Sequence, residues 1–138
     1  MALRVPRVLL DRLLEAAAEA FPRECCGVLV GQADPRTVID AVAVANRSDR
    51  PHERHFAIDP RDLMRIERDA RRAKMDVIGF FHSHPNGSAL PSETDREAAW
   101  PVYSYVIVAA SKDGAGEMRS WRLEEPAATF VEESIETV

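Results

Sequence analysis

Cysteine is scarce in this sequence of 138 residues, and its two cysteines are adjacent. Neighbouring side chains cannot easily reach relaxed disulfide geometry, and no third cysteine offers a partner. Cys25 and Cys26 are therefore predicted to be buried thiols of a protein from a reducing compartment, which favours the cytoplasm. In a strand they would point to opposite faces, so both could not reach one metal ion.

Long apolar runs are also lacking. No segment approaches the roughly 20 apolar residues that span a bilayer. Charged residues such as Arg4, Arg7 and Arg12 interrupt the early apolar residues before the apolar region of a signal peptide could form. The sequence therefore predicts no membrane segment and no secretion signal.

An excess of positive charge is missing as well, since the formal net charge is −5 at pH 7. Binding to nucleic acid normally needs a concentrated basic face, so the charge argues against a nucleic-acid partner. No internal repeat, low-complexity segment or linker divides the chain. Its length suits one domain, and residues 1–138 are predicted to form a single one.

Apolar periodicity predicts a mixed sheet with about three helices around it, which is an α/β (α+β) fold. The helices are expected over residues 7–21, from Asp59 and Pro60 to about residue 73, and from Ser92 toward residue 100. Asp59 suits the N-cap of its helix and Pro60 the first helical position. Strands are expected over residues 25–31, 37–45, 77–81, 103–110 and 119–123. A short strand is expected at 55–58, and a strand or short helix from residue 129 onward. Residues 46–54 and 85–91 are predicted loops, and residues 112–116 a turn.

Several large side chains are assigned to the core because they are apolar. In the strand at 119–123, alternation predicts that Trp121 and Leu123 point inward. The other side chains assigned to the core are those of Phe80, Phe81 and Trp100. Among the polar residues, Ser83 is interpreted as a hydrogen-bonding residue at a strand end, and His52 and His55 as surface or satisfied histidines.

The segment from Phe81 to Asp95 carries the chemistry. His82 and His84 are two residues apart at the end of a predicted strand, so their side chains project from one face. A carboxylate in the first turn of the following helix, Asp95, can supply a third ligand. Three protein ligands leave a fourth tetrahedral position for water, as in catalytic zinc sites. The predicted cofactor is one Zn²⁺ per chain, held by His82, His84 and Asp95.

The same residues also have a purely structural interpretation. Two histidines in three positions can arise by chance, and Ser-x-x-Asp from Ser92 to Asp95 is a capping-box pattern that helices use without any metal. The two interpretations do not exclude each other, since a capped first turn can face a metal. From the residues alone, both stay open.

A family resemblance favours the metal site. His82-Ser83-His84-Pro85, then six residues, Ser92, two residues and Asp95 resembles the signature of the JAMM (MPN-plus) zinc metalloproteases, in their compact prokaryotic form. Upstream, the segment from Pro22 to Gly31 resembles the family's Pro-x-Glu-x-Cys-Gly segment. The resemblance implies a curled mixed β-sheet flanked by helices, the JAMM/MPN (cytidine-deaminase-like) architecture. It also implies that Glu24 is the general acid/base and that Ser92 hydrogen-bonds the reacting carbonyl oxygen.

The resemblance further implies a substrate. Members of this family cleave after the C-terminal glycine of ubiquitin or ubiquitin-like proteins, and small prokaryotic relatives process ubiquitin-like sulfur carriers. We therefore expect a zinc-dependent peptidase or isopeptidase whose partner is a sulfur carrier with a Gly-Gly tail, contacted by the loop at residues 46–54. Two alternatives are a non-catalytic MPN scaffold that binds protein partners and a RadC-like DNA-repair-associated protein.

Overall fold

The computed structural model describes residues 2–53, 55–125 and 127–138. Within these residues the chain forms seven strands and three helices. In chain order they are β1 (Ala2–Val5), α1 (Arg7–Ala20), β2 (Cys26–Ala33), β3 (Arg36–Val44), α2 (Pro60–Arg72), β4 (Asp76–His84), α3 (Glu93–Ala98), β5 (Ser104–Ser111), β6 (Gly114–Glu124) and β7 (Thr129–Thr137). None of the helices in the described ranges has the length and apolarity to cross a membrane.

All seven strands belong to one mixed sheet that closes into a barrel in the order β1-β3-β2-β4-β5-β6-β7. Strand β4 lies inside this order, antiparallel to β2 and parallel to β5. The barrel closes where β1 pairs in parallel with β7, with Leu3 opposite Ile135. The predicted curled mixed sheet with three helices is confirmed. Strand β1 and the closure were not predicted.

Helices α1 and α2 cover opposite faces of the sheet. Leu9, Leu13 and Ala17 of α1 pack in the largest apolar cluster together with Leu29 of β2. The neighbouring residue Val28 points to the other face, into the cluster of α2. This strand is therefore buried on both faces, which explains its almost continuous apolar sequence.

The helix ends follow their predicted signals. Helix α2 has Asp59 as its N-cap, whose side chain accepts a hydrogen bond from the backbone N–H of Arg61, and Pro60 is its first residue. Helix α3 begins after Ser92 and is shorter than predicted, at six residues.

The strand predicted at residues 55–58 is wrong. The described part of this segment forms no ladder. Instead, the Asn46 side chain donates to the carbonyl of His55 and accepts from the backbone N–H of Ala57. A side-chain amide thus satisfies the backbone groups that a neighbouring strand would otherwise pair.

One assignment to the core is also wrong. Trp100 is 69% exposed and follows the end of α3. In β6 the fully buried side chain is that of Ser120, whereas Trp121 and Leu123 are only partly buried. Trp121 packs beside Ala89 and Ile107, away from the cluster of α1. Trp121 therefore packs against a buried apolar cluster, as its assignment to the core predicted.

Candidate metal centre

Strand β4 brings two imidazoles together on one face of the sheet. It extends to His84, three residues beyond its predicted end, so His82 and His84 both lie in regular strand. Their Nε2 atoms are 3.1 Å apart, and the two residues are 2% and 6% exposed. The alternation of a strand therefore produces the pair that the spacing predicted.

Helix α3 supplies the carboxylate. Asp95 Oδ1 lies 3.1 Å from His82 Nε2, and Asp95 Oδ2 lies 3.0 Å from His84 Nε2. A capping box holds this side chain, because the backbone N–H of Ser92 donates to Asp95 Oδ2 and the Ser92 hydroxyl accepts from the backbone N–H of Asp95. The helix cap and the candidate ligand set are therefore one arrangement, as the two sequence interpretations allowed.

Glu24 reaches the same cluster from the segment between α1 and β2. One carboxylate oxygen of Glu24 and one ring nitrogen each of His82 and His84 lie within 4.8 Å of one another. The backbone of Glu24 is tied to the loop at 46–54: its N–H donates to the His52 carbonyl over 2.7 Å, and its carbonyl accepts from Asn46 Nδ2 over 3.2 Å. The structure therefore places the one candidate that only the resemblance selected beside the two histidines.

The electrostatics of the cluster suit a metal site. Burial raises the pKa of Glu24 to about 7 and lowers the pKa of His82. Burial also opposes ionisation of Asp95, but hydrogen bonds from His82 and His84 outweigh it and lower the pKa of this carboxyl. Burial opposes protonation of His84, but the hydrogen bond and charge of Asp95 outweigh it and raise the pKa of this imidazole. The neutral imidazole of His82 and the ionised Asp95 are therefore in the forms that bind a cation, whereas at His84 a cation would compete with a proton.

The spacing of the donors fits zinc. Two imidazole nitrogens that share a tetrahedral zinc lie about 3.3 Å apart, given Zn–N bonds of about 2.0–2.1 Å. The observed 3.1 Å between the two Nε2 atoms is close to this value. The Nδ1 atom of His82 is buried and has no hydrogen-bond partner among the described residues. The group of Glu24, His82 and His84 could hold one metal ion.

Two clefts flank this cluster, and Glu24 lines both. On the His84 side, a polar cleft of about 340 Å³ is lined by Ser92, Asn86 and Glu53. On the His82 side, an aromatic cleft of about 390 Å³ also contains Asp95. Its apolar wall consists of Phe56, Ile58, Phe80, Trp100, Tyr105 and Phe130. Phe56 stacks on the His82 ring with centroids 4.4 Å apart, which fixes the plane of that imidazole.

A family model confirms the resemblance carried by these residues. The model for prokaryotic homologues of the JAB domain matches residues 6–124, which contain all five predicted site residues. This chain belongs to the Prok-JAB family.

Three curated relatives of this Prok-JAB protein have names that state an activity. Desampylase of Haloferax volcanii is 40% identical over 82% of this chain and 80% of its own. A probable TtuB-protein conjugate cleaving protease of Thermus thermophilus is 33% identical over 78% and 70%. The CysO-cysteine peptidase of Mycobacterium tuberculosis is 28% identical over 88% and 82%.

Solved structures share the fold. The solution structure of a protein from Desulfitobacterium hafniense matches with a TM-score of 0.85 at 30% identity, over 100% of this chain and 93% of that one. A JAB1/MPN domain protein from Archaeoglobus fulgidus matches with a TM-score of 0.57 at 21% identity, over 97% and 99%. The predicted JAMM/MPN architecture is confirmed.

Other residues of this Prok-JAB protein hold the segments and rings of the site in place, and the sequence predicted only some of them. Ser83 is a hydrogen-bonding residue, as predicted: its hydroxyl accepts from the backbone N–H of Cys25. The ring of His52 has a hydrogen-bond partner, as predicted, since its Nε2 lies 2.8 Å from the Ser48 carbonyl oxygen. Asn46 and Phe56 were missed, because nothing in the local pattern distinguishes them from other loop residues.

Proposed function

We propose that this protein is a zinc-dependent peptidase or isopeptidase that hydrolyses the amide bond after the C-terminal glycine of a ubiquitin-like protein. The observation that carries the proposal is that two carboxylates flank one pair of buried imidazoles: Glu24 lies within 4.8 Å of His82 and His84, and Asp95 lies about 3 Å from both. These residues come from three separate segments of the chain. Packing alone gives no reason to bury two imidazoles and two carboxylates together, since such groups are costly to bury without a compensating partner.

His82, His84 and Asp95 would hold the metal ion. When bound, zinc supplies a Lewis acid and lowers the pKa of water from about 15.7 to about 7. The capping box restrains Asp95 from α3, and the ladder of β4 restrains both histidines. Ligands fixed in this way keep an open position for substrate and water.

Glu24 would move the proton. Its pKa of about 7 lets it accept a proton from the attacking water and hand that proton to the departing amine. Its place between the two clefts suits this double role. The Ser92 hydroxyl uses an oxygen lone pair to accept from Asp95, so its own O–H remains able to donate to the oxygen of the reacting carbonyl.

The names of the relatives support the substrate class. One relative is named for cleaving TtuB-protein conjugates, another for a peptidase that acts on CysO-cysteine, and a third is a desampylase. We propose a sulfur carrier with a Gly-Gly tail as the substrate of this protein, because glycines let a chain approach a metal closely. Glu53 lines the polar cleft, which supports the predicted carrier contact at residues 46–54. Arg54 of that loop lies outside the described residues.

Two further predictions belong to this proposal. The free thiols of Cys25 and Cys26 fit the reducing cytoplasm. The chain is proposed to act as a single domain. No observation favours the non-catalytic scaffold or the RadC-like alternative over hydrolysis.

The test separates ligand, base and oxyanion donor by substitution. Wild-type protein should contain about one zinc per chain and cleave a carrier fusion through its Gly-Gly tail. His82→Ala should lose the metal. Glu24→Gln should keep the metal but lose roughly 10²–10⁴ in rate. Ser92→Ala should also keep it and lose roughly 10²–10³. Metal content is measured by mass spectrometry and cleavage by gel.

Glu97→Gln is the matched control, because Glu97 is an exposed glutamate of α3 and should behave like wild type. Full zinc retention by His82→Ala, or wild-type turnover by Glu24→Gln, would contradict the assigned roles. A fusion with bulky residues in place of Gly-Gly tests the substrate. Equal cleavage of the two fusions would contradict the proposed requirement for a Gly-Gly tail.

A further inference from the structure

Trp100 is exposed, yet its backbone is held firmly at the aromatic cleft. Its N–H donates to the Tyr105 hydroxyl over 2.8 Å. Two residues later, the Val102 carbonyl accepts from the Arg36 guanidinium over 2.7 Å, and the same guanidinium donates to the Ile78 carbonyl over 2.7 Å. Val102 has a φ of +77°, a conformation that β-branched residues rarely adopt. The connection after α3 is therefore fixed with its indole in solvent.

The polar cleft and the aromatic cleft would bind the two different sides of the scissile amide, the carbonyl side and the nitrogen side. The carbonyl belongs to the glycine and must meet the donor Ser92, which lines the polar cleft on the His84 side. The carrier tail accordingly lies in the polar cleft. The aromatic cleft opens on the His82 side and is left for the group attached to the nitrogen. Glu24 lines both clefts, as a residue that protonates the leaving amine must.

The chemistry of the aromatic cleft selects among amines. A Gly-Gly tail has no side chain to fill a volume of about 390 Å³ lined by aromatic rings. A lysine joined through its Nζ presents four methylene groups and a neutral amide to this wall. A residue joined through its α-nitrogen would instead bring its own backbone polar groups against the rings, where unpaired polar groups are costly.

We propose that Trp100 is a specificity-determining residue and that the aromatic cleft takes the aliphatic stem of the lysine in an isopeptide-linked conjugate. This inference rests on the proposed hydrolysis and goes beyond it by choosing the isopeptide bond. The exposed indole of Trp100 would cover the stem from solvent, together with the rings of Phe80 and Tyr105 that line the same cleft. An indole adds a large apolar contact at little cost in conformational entropy, because its rigid side chain has few rotatable bonds.

The test compares two substrates that share one carrier and one acceptor peptide. In one substrate the Gly-Gly tail is joined to the lysine Nζ of the peptide, and in the other to its α-amine. Wild type should prefer the first. Trp100→Ala should lower kcat/KM for the isopeptide about 10-fold, the usual effect of losing a large apolar contact, and change the linear substrate less than 2-fold. Trp100→Phe should restore most of the loss.

Met64→Ala is the matched control, because Met64 is 68% exposed on α2 and does not line the aromatic cleft. It should leave both substrates unchanged. If Trp100→Ala lowered kcat/KM equally for both substrates, the inference would be overturned and the proposed hydrolysis would stand. The same conclusion would follow if Trp100→Ala lowered kcat/KM for neither substrate.

A second readout does not depend on turnover. A short peptide carrying Nζ-glycylglycyl-lysine is titrated into zinc-loaded protein, and the indole N–H signals of Trp100 and Trp121 are followed by NMR. The Trp100 signal should shift, whereas the α-linked Gly-Gly-Lys isomer should leave it in place. If wild type cleaved neither substrate, the proposed function would fail and this titration alone would decide the cleft assignment. An unmoved Trp100 signal would overturn it.

Discussion

Glu24 is a residue whose chemistry works against the stability of the metal-free fold. The residue is 6% exposed, and burial raises the pKa of its carboxyl from 4.5 to about 7. The folded state therefore binds a proton at Glu24 more tightly than the unfolded chain does. Between these two pKa values the free energy of unfolding falls as pH rises, because the unfolded chain ionises first. A group suited to proton transfer is thus retained at a cost in stability.

We expect Glu24→Gln to stabilise the metal-free protein, with a gain that depends on pH. Glutamine does not titrate, so the gain should be small near pH 4.5, grow as pH rises to about 7 and then level off, at about 1–3 kcal/mol. Urea unfolding in the presence of EDTA at pH 5 and pH 8 measures it. Glu97→Gln should show no such growth, since Glu97 is exposed. A gain that is equal at both pH values would contradict the assigned cause.

At this scale the sequence indicated the candidate ligands better than their surroundings. His82, His84 and Asp95 were readable because strand alternation and a helix cap are local rules, and the structure brings the three side chains together. Glu24 was not readable from local rules, since its proximity depends on the packing of β2 against β4. Trp100 was assigned to the core because apolar residues usually are, but apolar side chains also line binding clefts.

Among the elements, the loop between β3 and α2 is ordered by one side chain. Asn46 Nδ2 donates to the carbonyls of Glu24 and His55, and Asn46 Oδ1 accepts from the backbone N–H groups of Ser48 and Ala57. One amide therefore joins the segment before β2 to both ends of the loop. Composition predicted a loop here, but it could not show that Asn46 and the His52 carbonyl both hold the backbone of Glu24.

We predict that Asn46→Asp weakens both the fold and the site. The aspartate keeps the two accepting interactions but loses both donated hydrogen bonds, and it places a charge beside two carbonyl oxygens. The free energy of unfolding should fall by about 2–4 kcal/mol, and hydrolysis should fall at unchanged zinc content, because Glu24 loses one of the two hydrogen bonds that hold its backbone to this loop. Chemical denaturation, metal analysis and cleavage assays measure the three effects. Ser48→Ala, which removes a hydroxyl that accepts from the backbone N–H of Arg50, is the control. An Asn46→Asp protein with normal stability would contradict this role.

For the whole molecule, the class of fold followed from the order of its elements, but the closed barrel did not. Helix and strand periodicity are local, whereas the pairing of β1 with β7 joins residues more than 130 positions apart. Four residues at the start of a chain carry too little pattern to reveal a strand. The buried hydrogen bond from the Ser120 hydroxyl to Glu133 was equally hidden, because it exists only when β6 and β7 lie side by side.

This closure has a consequence for the order in which the chain folds. Strands β2 and β3 are joined by a short connection and pair early, since closing a short loop costs little entropy. The β1–β7 seam needs the whole chain, so we expect its contacts to form after the transition state. Leu3→Ala, at a fully buried seam position, should cost about 2–5 kcal/mol and appear as faster unfolding with an almost unchanged folding rate. Leu29→Ala, buried to the same extent in the β2–β3 hairpin, should slow folding instead. Stopped-flow measurements over a range of urea concentrations distinguish the two variants. If Leu3→Ala folded as slowly as Leu29→Ala, the β1–β7 contacts would already be formed in the folding nucleus, and this prediction would be wrong.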